Sequence, residues 1–186
     1  MPLTGMRTRV KICGITRPED GRAAARAGAD AIGLVFYAKS PRYVALQQAQ
    51  AICRALPPFV SVVALFVNAR REQVTEVLNA IPVDLLQFHG NEQAEQCVSF
   101  GRPYIKAIGM REGSDPLSTM EVHPEACGFL LDAWQPELHG GGGVIFDWAQ
   151  IPARSDKPMI LAGGLTAENI TQVVARTRPF AVDVST

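Results

Sequence analysis

The chain has 186 residues, 47% of them apolar and 19% charged, with a formal net charge of zero. That balance belongs to a globular domain with a substantial core and excludes a disordered chain. The absence of a dense basic run leaves nucleic-acid binding without electrostatic support, and no apolar stretch reaches the roughly 18 to 20 residues of a membrane span.

In chain order, short apolar runs alternate with amphipathic stretches. The runs fall at 10–13, 31–36, 60–67, 83–88, 104–108, 128–131, 159–162 and 181–184. Most carry little polar alternation, as expected of parallel strands covered on both faces. Between the first two runs, Thr16-Arg17-Pro18-Glu19 reads as a capping box, and Gly28 reads as the stop of the alanine-rich helix that follows. Asn68 precedes a helix over 69–81, with Val74, Val77, Leu78 and Ile81 on one face. Asn91 opens another helix, with Glu95 in its capping position. Pro116, Pro124 and Pro152 weaken the helical pattern after the fifth and sixth runs. Thr166 precedes a helix over 167–175 that buries Ile170, Val173 and Val174.

Eight such repeats predict a single α/β domain over residues 1–186, a (βα)8 TIM barrel, with a doubly wound open sheet as the rival architecture. The barrel is favoured by the polar residues that end the runs: Cys13, Asn68, His89, Asp132, Gly163 with Gly164, and Asp183 with Ser185. In a barrel those strand ends meet on one face and form a cup. The sequence stops at Thr186, just after the eighth run, so this reading expects the final helix to be lacking, with low stability or weak activity as the consequence.

The four cysteines, Cys13, Cys53, Cys97 and Cys127, form no CxxC pair, which speaks against a zinc site or a disulfide framework and for a reducing cytoplasm. The first segment lacks the apolar centre of a signal peptide. Cys13 admits two readings, a small buried apolar side chain or a reactive thiol at the mouth of the cup. Asp132 emerges from the apolar run Phe129-Leu130-Leu131. It is either the cap of a turn or a desolvated carboxyl able to act as a general acid. Asp183 has the same character, with a hydrogen-bonding prop as the alternative. Arg42, in Ser40-Pro41-Arg42, is a solvated loop cation or a fork for a substrate carboxylate. His89 has no second histidine at ligand spacing and is read as a hydrogen-bond donor, not a metal ligand. Gly163-Gly164 is a tight turn or, together with Ser185 and Thr186, a phosphate-holding pair of loops.

Taken together, KICGIT (11–16), SPR (40–42), LFVN (65–68), LLQFHG (85–90), LLDA (130–133), FDW (146–148), LAGGLTAEN (161–169) and DVS (183–185) resemble the phosphoribosylanthranilate isomerase family, over nearly the whole chain. The resemblance implies an Amadori-type rearrangement of tryptophan biosynthesis that needs no cofactor and no metal. It implies Cys13 as general base, Asp132 as general acid, and Arg42 as the partner of the anthranilate carboxylate. His89 and Asp183 would line the pocket, and Gly163, Gly164, Ser185 and Thr186 would hold the phosphate. The partner expected is therefore a small phosphorylated molecule, and the chain is expected to be a monomer or weak homodimer. Residues 140–143 are all glycine where the family usually has GGTG, which would let that loop order less readily. Two other readings compete. One is the related histidine-pathway isomerase, which relies on two aspartates and is disfavoured by KICGIT and the single SPR arginine. The other is a non-catalytic barrel that binds phosphorylated ligands.

Overall fold

A computed structural model of the chain describes residues 7–111, 115–133, 150–152 and 155–185. Eight parallel strands close into a barrel in sequence order: β1 (Arg9–Cys13), β2 (Ala31–Val35), β3 (Ser61–Phe66), β4 (Leu85–Phe88), β5 (Tyr104–Met110), β6 (Gly128–Ala133), β7 (Met159–Leu161) and β8 (Ala181–Ser185). The closing pair sets Lys11 opposite Asp183 and Cys13 opposite Ser185. The open-sheet alternative is thereby ruled out. β8 is the last element described.

Six helices are described outside the strands: α1 (Pro18–Arg26), α2 (Leu46–Ala55), α3 (Arg71–Ala80), α4 (Ala94–Val98), α5 (Pro116–Val122) and α6 (Ile170–Thr177). Strand residues alternate between two cores. Ile32, Leu34, Ala64, Phe66, Leu86, Phe88, Phe129 and Leu131 face outward into the layer beneath the helices. Ile105, Ala107, Leu130, Ile160, Ala162 and Ala181 fill the barrel interior. Phe66 and Phe88 pack with tilted rings 6.3 Å apart, and Phe88 meets the edge of Tyr104 at 5.8 Å, so the outer layer is aromatic along β3 to β5. At the opposite end from the cup, the Asp30 and Asp84 carboxylates accept the Val10 and Val62 N–H groups at 2.8 and 2.7 Å, fastening the starts of β1 and β3.

Local signals at the helix ends fared unevenly. Gly28 does terminate α1: it has φ +91°, and the Ala29 N–H reaches back to the Ala24 carbonyl at 3.0 Å. The capping box expected at Thr16 does not form. The helix opens one residue later with extended Arg17 as its cap and no side-chain cap bond, because Pro18 already supplies the first-turn geometry. Asn68 and Asn91 also do not cap. α3 starts at Arg71, where the Gln73 side chain accepts the Arg70 N–H at 3.0 Å, and α4 starts at Ala94. The two asparagines bond to each other across loops instead, the Asn91 N–H donating to Asn68 Oδ1 at 2.7 Å. Thr166 is likewise displaced, since α6 begins at Ile170 behind Asn169. α2 carries no capping signature at all; Ala49 and Ile52, one turn apart and fully buried, anchor it to the barrel.

Candidate active site

Odd-numbered residues of β1 point into the barrel, which brings Lys11 and then Cys13 up to its mouth. Just past β1, Gly14 takes φ +84°, and a Cβ there would lie 2.3 Å from Arg42 Cδ. The loop glycine of KICGIT is thus what lets the Arg42 stem cross the end of β1 and enter the cup. β4 sends Gln87 and His89 inward, β6 sends Asp132, and β8 sends Asp183 and Ser185. Cys13, Arg42, His89, Asp132, Gly163, Asp183 and Ser185 all line one pocket. Gly164 follows directly, and its carbonyl accepts the Asn169 side-chain amide at 2.8 Å. Thr186, the glycines at 140–143 and the FDW segment lie outside the described residues.

The polar groups divide into two chains of contacts. On one side, His89 Nε2 stands 3.2 Å from Asp132 Oδ2, and the Gln87 side-chain amide is 3.3 Å from His89 Nδ1. With Gln87 donating, the imidazole proton sits on Nε2 and is aimed at Asp132. The Asp132 carboxyl also rests against Gly163: a Cβ there would come within 2.7 Å of Asp132 Oδ1 and 2.5 Å of the Ala133 nitrogen. On the other side, Lys11 Nζ donates to Asp183 Oδ2 at 2.8 Å, both side chains being buried. The other Asp183 oxygen is buried and accepts no hydrogen bond among the described residues.

Burial pushes the Cys13 thiol up from its ordinary value; Lys11 and Arg42 pull it back, and the Asp183 charge adds to the rise. Burial also raises the Asp183 carboxyl, against the pull of Lys11 and with help from Asp132. Lys11 is raised: burial opposes its charge, but Asp183 and the Cys13 sulfur outweigh it.

The remaining wall is apolar. Val35, Leu65, Val67 and Tyr37 cluster with Cys13 on the β1–β3 side, below Arg42. Such a surface takes a flat ring, and the guanidinium at its edge takes an anion. No group of three or more His, Cys, Asp or Glu side chains able to hold a metal ion occurs among the described residues.

The sequence profile of N-(5'phosphoribosyl)anthranilate (PRA) isomerases matches residues 10–186. The chain belongs to that family. An N-(5'-phosphoribosyl)anthranilate isomerase of Pseudomonas paraeruginosa is 58% identical over 177 residues, covering 95% of this chain and 84% of the relative. The crystal structure of phosphoribosyl anthranilate isomerase from Thermotoga maritima superposes with a TM-score of 0.87 at 39% identity, covering 96% of this chain and 88% of the other. A phosphoribosyl anthranilate isomerase in complex with reduced 1-(o-carboxyphenylamino)-1-deoxyribulose 5-phosphate gives a TM-score of 0.84 at 37% identity, over 97% and 88% of the two chains. This member of the PRA isomerase family is therefore an enzyme on a TIM barrel.

Several residues of this PRA isomerase site escaped the reading of its sequence. Lys11 and Gln87 lie inside strands, where a lone polar residue gives no sign of which face it takes until the period-two register is known. Tyr37 falls one residue past the apolar run at 31–36 and carries no motif of its own. Gly33 reads as a strand glycine, yet a Cβ there would fall 2.7 Å from Cys13 Sγ, so its bare backbone is what makes room for the thiol.

Proposed function

We propose that the chain converts N-(5-phosphoribosyl)anthranilate to 1-(2-carboxyphenylamino)-1-deoxyribulose 5-phosphate, a step of tryptophan biosynthesis, with Asp132 as general acid and Cys13 as general base. One observation carries the reading: a carboxyl and a thiol line a single pocket beside an arginine and an apolar wall. The wall and Arg42 suit the ring and carboxylate of an anthranilate. An aminoaldose without a carboxylate on its ring would offer the Arg42 fork no matching anion.

Asp132 gives its proton to the ribose ring oxygen as the C1–O bond breaks, and the nitrogen lone pair forms an iminium at C1. The His89 Nε2 proton faces the carboxylate that results. The cationic nitrogen acidifies the C2–H. Cys13 thiolate takes that proton, and the C–H electron pair becomes the C1=C2 bond of a neutral enolamine. Ketonisation moves the C2 hydroxyl proton off and places one on C1. Every step is a proton transfer within one redox-neutral rearrangement, so none calls for an electron acceptor. The phosphate would sit against Gly163, Gly164, Ser185 and Thr186 at the ends of the seventh and eighth strands, with backbone N–H groups as donors.

Following the loss of substrate fluorescence, Cys13→Ala and Asp132→Asn are each expected to lower kcat by roughly 100- to 10,000-fold with folding retained. A folded Cys13→Ala chain with undiminished kcat would remove Cys13 from the mechanism.

A further inference from the structure

Lys11 is a buried charge in the cup to which the acid–base steps give no task. It precedes Cys13 by two residues on the inner face of β1 and is 6% exposed. On the β8 side its ammonium holds Asp183 at 2.8 Å. On the β2 side stands Gly33, paired in register with Cys13. A methyl group at Gly33 would meet Cys13 Sγ at 2.7 Å and Lys11 Nζ at 3.0 Å. The sulfur and the ammonium therefore flank the same small space, left open by the missing side chain, and the two groups interact.

We propose that Lys11 is a positioning residue for the isomerisation: its ammonium is the fixed counter-charge of the Cys13 thiolate and at the same time clamps Asp183 so that its second oxygen faces the substrate. The inference rests on the reading of Cys13 as base.

The charged groups that face Cys13 are few. Lys11 on the same strand and Arg42 from the loop after β2 favour the thiolate, and Asp183 on β8 opposes it. Asp132 and His89 act on Asp183 from the far side of the cup. In the substrate complex the Arg42 charge is answered by the anthranilate carboxylate, so its help to the sulfur is largely cancelled. Two positive charges remain for the thiolate: Lys11, which is permanent, and the iminium nitrogen, which exists only after ring opening. In the empty cup burial prevails and favours the neutral thiol. Once the iminium forms beside Lys11, the balance turns toward thiolate at the moment a base is needed. Asp183 Oδ1, buried and without a hydrogen-bond donor among the described residues, is left as an acceptor for a ribose hydroxyl.

The test is the pH dependence of Cys13 alkylation by iodoacetamide, read by mass spectrometry on the Cys13 peptide so that Cys53, Cys97 and Cys127 do not interfere. The parent chain is compared with Lys11→Met and Asp183→Asn. Removing the cation is expected to raise the Cys13 midpoint by about one pH unit or more, and removing the anion to lower it, since each unit corresponds to a tenfold change in thiolate. In Lys11→Met, kcat/KM should fall at least about tenfold near neutral pH and recover in part as pH rises. A folded Lys11→Met chain with an unmoved Cys13 midpoint overturns the inference. If that variant does not fold, Asp183→Asn decides by sign, and a midpoint that stays or rises overturns it equally. The Cys13→Ala activity test is read separately: a Cys13 that titrates with Lys11 but is dispensable for turnover would sink the base reading, and with it Lys11's part in the isomerisation, while leaving the charge coupling of the two groups standing.

Discussion

At the scale of single residues, the site is built by what is missing as much as by what is present. Asp132 keeps its place because Gly163 has no side chain and takes φ +77°. Gly163→Ala would drive a methyl to 2.5 Å from the Ala133 nitrogen and force the carboxyl aside, at a backbone angle that alanine adopts only with strain. A displacement of this kind costs about 100-fold in rate. We expect kcat/KM to drop by that order while circular dichroism reports a folded barrel; a loss under threefold would mean that Asp132 does not need this seat. Cys13, Asp132 and Arg42 could be picked out of the sequence because each ends an apolar run or sits in a short loop, where a polar side chain is conspicuous. Lys11 and Gln87 could not, because their meaning depends on which neighbour strand they face. Lys11 matters through the Cys13 sulfur two residues on and through Asp183, which stands beside it only because β8 closes against β1.

At the scale of elements, strands were more readable than helix ends. A run of buried branched residues is decided by the hydrophobic effect over a whole segment, whereas a cap is decided by one hydrogen bond that a neighbour can outbid. Asn68 illustrates the point. It has the residue type of a helix cap, but with φ +49° it closes a loop–loop contact instead. Beside it lies an element-level device that no motif announces. Glu92 is 3% exposed; it accepts the Asn68 N–H at 2.7 Å and the Gly90 N–H at 2.9 Å, and stands 3.3 Å from Lys106 Nζ. Lys106 also donates to the Gly90 carbonyl at 2.6 Å. This knot ties the ends of β3 and β4 to Lys106 within β5 and fixes the loop from which the His89 imidazole reaches Asp132. Glu92→Gln leaves a buried ammonium without its counter-charge and turns one accepting oxygen into a donor. Removing one partner of such a pair costs about 3–5 kcal/mol. Guanidinium unfolding should show that loss, and adding Lys106→Met to Glu92→Gln should recover part of it, since the unpaired charge goes too. A single variant within 0.5 kcal/mol of the parent (roughly the scatter of surface substitutions) would show the knot to be ornamental.

At the scale of the whole molecule, closing the barrel is what lets residues 11 and 183 share a proton-relevant contact, and the same closure sets how the fold answers to pH. His123 is 3% exposed, with its Nδ1 3.3 Å from the Tyr104 hydroxyl at the outer face of β5. Burial, with Lys106 nearby, holds this imidazole below its ordinary value, against the opposite pull of Glu92 and Glu95. In the unfolded chain it titrates near 6.5. As pH falls through that value the unfolded state gains a proton first, so stability declines from about pH 6.5 downward until the folded imidazole is also charged. Asp30, held below its ordinary range chiefly by its hydrogen bond to Arg7, adds a second decline that begins only near pH 4. The two windows are separable. The urea midpoint of the parent should be level from pH 7 to 8, fall between about 6.5 and 5, and fall again below about 4. His123→Gln keeps a hydrogen-bond partner for Tyr104 without a titrating group, and should flatten the first window while leaving the second. If the parent and His123→Gln decline in parallel between pH 6.5 and 5, the sensitivity lies elsewhere in the barrel and the buried imidazole is a packing residue only.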